Sequence, residues 1–390
     1  MSHDDPPPPI LQLTPLNPAF RDDPHGIYAK LREAHPVYRD EMAGAFIVTR
    51  YKLAREILND RTMLRGPDKA DPPGPFTQRL VENFEADPET GEVRSFSILL
   101  MDEPHHSRVR GPLAKALYAR AAKVKPLVDA IIDEKLAAIA GQGRFDLMDA
   151  FAIPLPIDVI GAILGVDVAR RGEFRRWSEG VIQVLNPFRT PEQTASMESA
   201  GEAMRGYITH LMDARRTSPQ DDLVTDMVQM QADARLQNAE IISNLIGLLV
   251  GGNLTTSDLI GNGVYALLTH PAELAKLKSD YSIVSQVVEE ILRYDGPVDI
   301  TARVTPREME AGGCPMKARQ SVITLLRASN HDPDVFEKVF NLIAIAGAAA
   351  ARSSNSPAAL SGGGAEFLRG FDIRKGAHRS ARNPARKPLK

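Results

Sequence analysis

From about Asn238 to His270 the chain reads as one uninterrupted helix, and this stretch constrains the fold more than any other. At about 1.5 Å per residue it spans roughly 50 Å, enough to cross a whole domain. At its centre stands Val250-Gly251-Gly252-Asn253-Leu254-Thr255-Thr256. A glycine inside a helix costs about 1 kcal/mol relative to alanine, so the adjacent pair implies a distortion, a close packing contact or the approach of a ligand.

The remaining elements group around that strut. Amphipathic helical spacing recurs near 107–119, 122–140, 158–164, 173–185, 192–215 and 222–231 before it, and near 272–279 and 281–294 after it. Earlier, Ile27, Leu31 and Ala34 predict a helix over Asp23 to His35, Val37-Tyr38 and Ala45 to Thr49 read as short strands, and Tyr51 to Leu58 as a helix. Val298 to Leu326 is strand-like around Gly312-Gly313. The irregular stretch from Asn59 to His105, with Gly66-Pro67, Pro72-Pro73 and Gly74-Pro75, is too long for a plain connection and is a candidate binding loop.

The pattern predicts a mainly α fold with a small β region. With no internal repeat and no linker, one domain is expected over 23–339. Residues 1–22, which include the run Pro6 to Pro9, are expected to be a disordered N-terminus, and 340–390 an aberrant basic tail rich in Ala, Ser and Gly.

Composition closes several alternatives. Hydrophobic residues at 43% and charged residues at 25% suit a globular protein, not a disordered one. No run of eighteen apolar residues occurs, which argues against a membrane span, and the acidic, proline-rich start is not a secretory signal. The single cysteine, Cys314, excludes a disulfide framework and fits a reducing cytoplasm. From Phe340 onward nine Lys and Arg face two Asp and Glu, so the net charge of −3 hides a basic tail. Those charges are scattered without aromatic interleaving, and nucleic-acid binding is not expected.

Three constellations carry chemistry. Glu290 and Arg293 stand three apart, on one helical face where they can pair. Tyr294-Asp295-Gly296-Pro297-Val298, Thr301-Ala302-Arg303 and Asn330-His331-Asp332-Pro333 follow in order. In Asp102-Glu103-Pro104-His105-His106-Ser107-Arg108-Val109-Arg110, His106 and Arg110 share a face at a helix start and can present two donors to one anion. No metal-ligand spacing accompanies them. The third is the glycine pair of the long helix, where a freed carbonyl beside a threonine hydroxyl would make a polar notch for a water or an oxygen molecule.

In this order and at these separations the residues resemble bacterial soluble cytochromes P450 from roughly Asp23 to Phe336. The resemblance implies a triangular prism around a long I helix, haem b as cofactor, and insertion of one oxygen atom from O2 into a small apolar substrate. Ferredoxin or flavodoxin would supply electrons to a cytoplasmic monomer. Glu290 and Arg293 would form the family's structural ExxR pair, and His106, Arg110 and Arg303 would bind the haem propionates, with Gly251 and Gly252 close to the cofactor. Thr255 would activate oxygen, with Asn253 and Thr256 able to assist. Leu249, Val250, Val298, Asp299 and Ile300 would line the substrate pocket.

Two departures stand out. Leu254 occupies the position where the family usually carries an acid for proton delivery. The family's Phe-x-x-Gly-x-x-x-Cys-x-Gly loop, roughly sixty to seventy residues beyond the ExxR arginine, has no counterpart, so the axial thiolate is missing. Cys314 falls only about twenty residues past Arg293 and is expected to be an ordinary strand or turn residue. Leu368 stands where Ser361 to Gly370 imitates the loop's glycine spacing. A reading-frame shift between about Phe336 and Leu342 would account for the loss, and Ala348 to Ala351 is what GC-rich glycine codons give when read one base late. The alternative is a non-catalytic scaffold or helper subunit of another enzyme.

Overall fold

The computed structural model describes residues 6–82, 97–186, 189–231 and 233–336. The expectations for 340–390, including Leu368, lie outside the described residues. In chain order the first helices are α1 (Pro18–Asp22), α2 (Pro24–Ala34), α3 (Tyr51–Asn59), α4 (Pro75–Glu82), α5 (His105–Ala121), α6 (Lys125–Ile139) and α7 (Pro154–Leu164). They continue as α8 (Arg171–Val181), α9 (Pro191–Thr217), α10 (Leu223–Met230), α11 (Asn238–Thr269), α12 (Pro271–Ser279), α13 (Val284–Asp295) and α14 (Leu326–Ser329). The strands are β1 (Val37–Asp40), β2 (Ala45–Val48), β3 (Ile300–Val304), β4 (Met309–Ala311), β5 (Cys314–Met316) and β6 (Ser321–Leu325).

Local chemistry sets the helix starts. The Asp23 carboxylate accepts from Gly26 N at 2.8 Å and Pro24 opens α2. Thr190 and Gln193 close a capping box on α9 that lengthens it beyond the predicted 192–215. Gln237 and Glu240 do the same for α11, whose bounds match the long helix read from sequence. The main core gathers Leu113, Ile160, Phe174, Met204, Leu245 and Leu249 from α5, α7, α8, α9 and α11, so the long helix is walled by packed helices along half its length.

A four-stranded sheet runs β1-β2-β6-β3, with β2 and β6 parallel and the outer pairs antiparallel. Both central strands are buried at every residue. β4 and β5 form a separate hairpin closed by Gly312 (φ +57°) and Gly313 (φ +81°), the two-residue turn in which both positions need left-handed backbone. Val37 and Leu53 press against the space that a Gly312 side chain would need. Cys314 sits in this hairpin as expected, with its thiol directed to the Val37 carbonyl at 3.7 Å.

The N-terminus departs from expectation. From Pro6 onward the chain is packed: Ile10, Leu13 and Phe20 are buried, Ile10 N donates to the Asp40 carboxylate at 2.5 Å and the Tyr38 hydroxyl donates to Pro8 O at 3.1 Å. Three spaced apolar side chains and one buried acid outweigh the proline run; only residues 1–5 lie outside the description. The Asn59–His105 stretch also holds more order than its composition implies, including α4, while 83–96 lie outside the described residues.

Candidate cofactor site

Glu290 and Arg293 meet as a fork inside the protein. Arg293 Nε donates to Glu290 Oε2 at 2.9 Å and Nη2 to Oε1 at 2.8 Å, while Nη1 donates to Asn330 O at 2.9 Å. Their side chains are 3% and 6% exposed, which makes the bidentate geometry obligatory: a buried carboxylate without its partner is strongly disfavoured. The guanidinium also covers the Phe336 ring, 5.2 Å from its centroid. The turn after α14 is tied in through Asp332, which accepts from Tyr51 N and Arg50 Nη1, each at 2.9 Å. Arg32 donates to Ala328 O at 2.7 Å. Arg32 and Arg50 were not legible as members of this knot, because only the fold brings 32 and 50 beside 328 and 332.

On α11 the 100° step between residues separates the glycine and threonine motifs onto different faces. Gly251 is exposed, and a Cβ there would meet nothing within 4 Å. Thr255, one turn on, donates from Oγ1 to Gly251 O at 2.6 Å, a back-bond within the unbroken helix. Gly252 points elsewhere: a Cβ on it would lie 3.2 Å from Ile160, so this glycine serves close packing on α7. Asn253 is fully buried and donates from Nδ2 to Ser178 Oγ of α8 at 3.4 Å. Thr256 and Val250 are buried, and Leu249 is a core residue. The expected roles of Gly252 at the cofactor, Asn253 beside Thr255 and Leu249 at the substrate are therefore replaced by packing, since these side chains lie on the walled side of the helix.

The open side of α11 carries Gly251, Thr255 and Asp258 and continues into a groove of about 320 Å³ that includes Leu147, Met148, Gly261, Tyr265 and Leu268. Burial holds the Asp258 carboxyl above the usual range, opposed by the charge of Arg175. Sequence reasoning missed Asp258; its spacing of three from Thr255 was the available signal.

A second group of cations stands on α5 and β3. His106 Nδ1 lies 3.3 Å from Glu103 Oε1. Arg110 is exposed and forms no ion pair among the described residues, whereas Arg108 between them is committed to Glu240. Arg303 donates only to Ala302 O at 2.7 Å and Thr301 Oγ1 at 3.3 Å. Burial and the nearby Arg65 guanidinium pull its pKa down to about 10, against the opposing charge of Asp102. Arg303 is thus half-buried and in no ion pair among the described residues, an arrangement that suits an anionic ligand.

After β-region entry the expected pocket residues divide. Ile300 is 37% exposed, and Val298 packs beside Tyr51, Leu326 and Phe336. The Asp299 carboxylate pairs with Arg327 at 2.7 Å, and burial raises its pKa.

Arg110 and Arg303, in no ion pair among the described residues, are of the chemical type that binds carboxylates such as those of a haem. They do not fit its iron. The only cysteine of the sequence is Cys314, packed in the hairpin cluster with Val37 and Met316, and no group of three or more His, Cys, Asp and Glu among the described residues could hold a metal ion. No described helix is long and apolar enough to cross a membrane.

A family model described as Cytochrome P450 matches residues 174–341. Cytochrome P450 107B1 of Saccharopolyspora erythraea is 36% identical over 337 residues, covering 84% of this chain and 80% of that protein. The 6-deoxyerythronolide B hydroxylase of the same organism is 36% identical, covering 82% of this chain and 78% of its own length. Among solved structures, the myxobacterial cytochrome P450 CYP267B1 in complex with myristic acid is 30% identical with a TM-score of 0.73, covering 91% of this chain and 90% of its own. Together with the buried Glu290–Arg293 fork, these similarities establish that the chain belongs to the cytochrome P450 family of haem-dependent monooxygenases.

Proposed function

We propose that His106, Arg110 and Arg303 hold the haem carboxylates of this monooxygenase and that its substrate, a small apolar organic molecule, lies against the open face of α11. The observation that carries this reading is Arg303, a half-buried cation in no ion pair among the described residues. The hydroxylase and the myristic-acid complex among its relatives support an apolar organic substrate.

Haem bound through a thiolate supplies the activation of O2 and the transfer of one oxygen atom to a C–H or C=C bond. The protein's part is placement. Gly251 leaves room over the site, Thr255 holds its hydroxyl proton on Gly251 O, and Leu254 keeps the adjoining surface apolar. Asp258 replaces the acid missing at 254: it sits three residues beyond Thr255, hence on the same stripe, and stays protonated to higher pH than an ordinary aspartate. Bacterial P450s of this type work with O2, an organic substrate and a redox partner, and we assign a ferredoxin or flavodoxin to that role for a monomeric protein.

We place the missing thiolate loop in another reading frame beyond Phe336. The family match ending at residue 341, the lone cysteine at 314 and the alanine run 348–351 support this. The test is to translate both other frames downstream of Phe336. One should contain Phe-x-x-Gly-x-x-x-Cys-x-Gly, and joining it to residues 1–336 should yield a protein whose reduced carbon monoxide complex shows the red-shifted thiolate Soret band. Absence of the motif from both frames removes the proposal.

A further inference from the structure

We propose that Asn244 is a positioning residue for the substrate of this monooxygenase: it holds residues 97–102 as a strap across α11 and so fixes how long a ligand the open face of that helix accepts. This rests on the placement of the substrate against that face, whose N-terminal end the strap walls off.

Asparagine is a poor helix former and costly to bury, yet Asn244 stands inside α11 at 3% exposure with both polar atoms engaged. Its Oδ1 accepts from Ile98 N at 2.9 Å, and its Nδ2 donates to Glu240 O, one turn back, at 2.7 Å. One turn on, a Cβ placed on Gly247 would lie 3.7 Å from Ser97 Cβ, so the incoming chain runs in contact with the helix. Met101 is buried in the main core with Leu245 and Leu249. The far end of the strap is fixed as well. The Asp102 carboxylate accepts from Arg65 N at 2.7 Å and from Gly66 N at 2.9 Å, and Leu64 beside them bridges to Val304 of β3. Residues 97–102 thus run from α11 to the sheet, pinned by one side-chain amide and one carboxylate. At 100° per residue, Asn244 lies within about 20° of both Gly251 and Thr255 around α11, and roughly 10 Å before Gly251 along it. That stripe is covered at Asn244 and open at Gly251, where an added Cβ would meet nothing. Leu99, in the middle of the strap, is 68% exposed, an apolar side chain carried on a segment tied at both ends. A loop free at one end would yield to a longer ligand; this one resists it.

The experiment uses the full 390-residue chain and straight-chain alcohols from butanol to dodecanol, with dissociation constants read by calorimetry. Each methylene that enters apolar surroundings strengthens binding by about fourfold, so affinity in the parent should climb with length and stop where the ligand meets the strap. Asn244→Ala frees Ile98 N, and the climb should continue, raising the dodecanol-to-butanol affinity ratio by about tenfold or more. Ile98→Pro removes the donor while Asn244 stays, at a position that opens a short helix where proline is accepted, and should act in the same direction. Leu99→Trp, a change at an exposed position that leaves the fold intact, should stop the climb sooner and lower the ratio. Gly251→Leu fills the open face and should weaken every alcohol. If it does so while Asn244→Ala and Ile98→Pro keep the ratio within about twofold of the parent, or weaken all lengths by one common factor, the strap is not the wall and this proposal fails alone. The same holds if those two variants do not fold and Leu99→Trp leaves the ratio unmoved. If no alcohol binds the parent, or Gly251→Leu leaves the affinities unchanged, the placement of the substrate on α11 fails, and the role of Asn244 with it.

Discussion

The Arg293 guanidinium lies fork to fork against the Glu290 carboxylate, 2.8 and 2.9 Å apart, in a setting that admits almost no water. Removing either partner strands the other. Arg293→Leu is expected to destabilise the chain by about 3–5 kcal/mol, because Glu290 is left charged and buried and Asn330 O loses its donor. Arg293→Lys should not rescue it, since an ammonium cannot span both carboxylate oxygens and Asn330 O together. Urea denaturation followed by circular dichroism measures this; a loss below about 1 kcal/mol for Arg293→Leu would show that the pair is peripheral to folding.

Gly251 and Gly252 are neighbours in sequence but face different surroundings, which gives a paired prediction. Gly251→Ala meets nothing within 4 Å, so the unliganded chain should gain up to about 1 kcal/mol from helix propensity, while the added methyl takes up space on the open face where the ligand is proposed to lie. Gly252→Ala brings a methyl 3.2 Å from Ile160, and the same propensity gain should be offset by the strain of moving α7. Thermal unfolding without ligand, together with porphyrin affinity, separates the two: the Gly251 variant should be the more stable and the weaker binder. Equal behaviour of the two variants would contradict the facial assignment.

Much of this was legible before the structure. The bounds of α11, the Glu290–Arg293 pair, the start of α5 to within a residue or two and the strand placement of Cys314 all follow from periodicity, spacing and turn chemistry, which act over a few residues. What spacing could not give is which face of α11 is walled. Asn253 and Gly252 lie between Gly251 and Thr255 in sequence, but their direction is set by Ser178 and Ile160, more than seventy residues away in the chain. The ion pair of Asp299 was hidden for the same reason, its partner Arg327 being supplied by α14. The packed N-terminus was hidden because the acid that receives Ile10 N is Asp40, at the end of β1.

The β4–β5 hairpin offers a test of two adjacent glycines with different constraints. Gly312→Ala must adopt φ near +57° and also enter space held by Leu53 and Val37 at 2.8 and 2.9 Å, so a loss of roughly 1–2 kcal/mol or more is expected. Gly313→Asn faces open space at φ +81°, where asparagine is tolerated, and should cost only a few tenths of a kcal/mol. The urea midpoints of the two variants check this, and a Gly312→Ala protein as stable as the parent would mean that the hairpin does not seat against β1 and α3.

The last prediction concerns acid. His331 is enclosed by His25 and Arg32 from α2, Arg293 from α13 and Arg327 from α14, and burial followed by the charges of His25 and Arg293 lowers its pKa from 6.5 to about 2. His25 is lowered as well, by burial first and then by Arg327. A histidine kept neutral in the fold but free to protonate when unfolded makes the unfolded state bind more protons below pH 6.5. Stability is therefore fully present above that value and falls as pH drops from about 6.5 toward 2, with a slope approaching ~1.4 kcal/mol per pH unit for each such group. Asp295 and Asp299 act in the opposite sense, because burial raises both. Between pH 7.5 and 5.5 the urea midpoint of the parent should therefore fall more than that of a variant without the His331 imidazole. His331→Gln keeps a donor for Arg327 O without a titrating group, and the slope should flatten by about one proton's worth. A variant that keeps the parent's full slope would mean that His331 protonates in the fold as readily as in water.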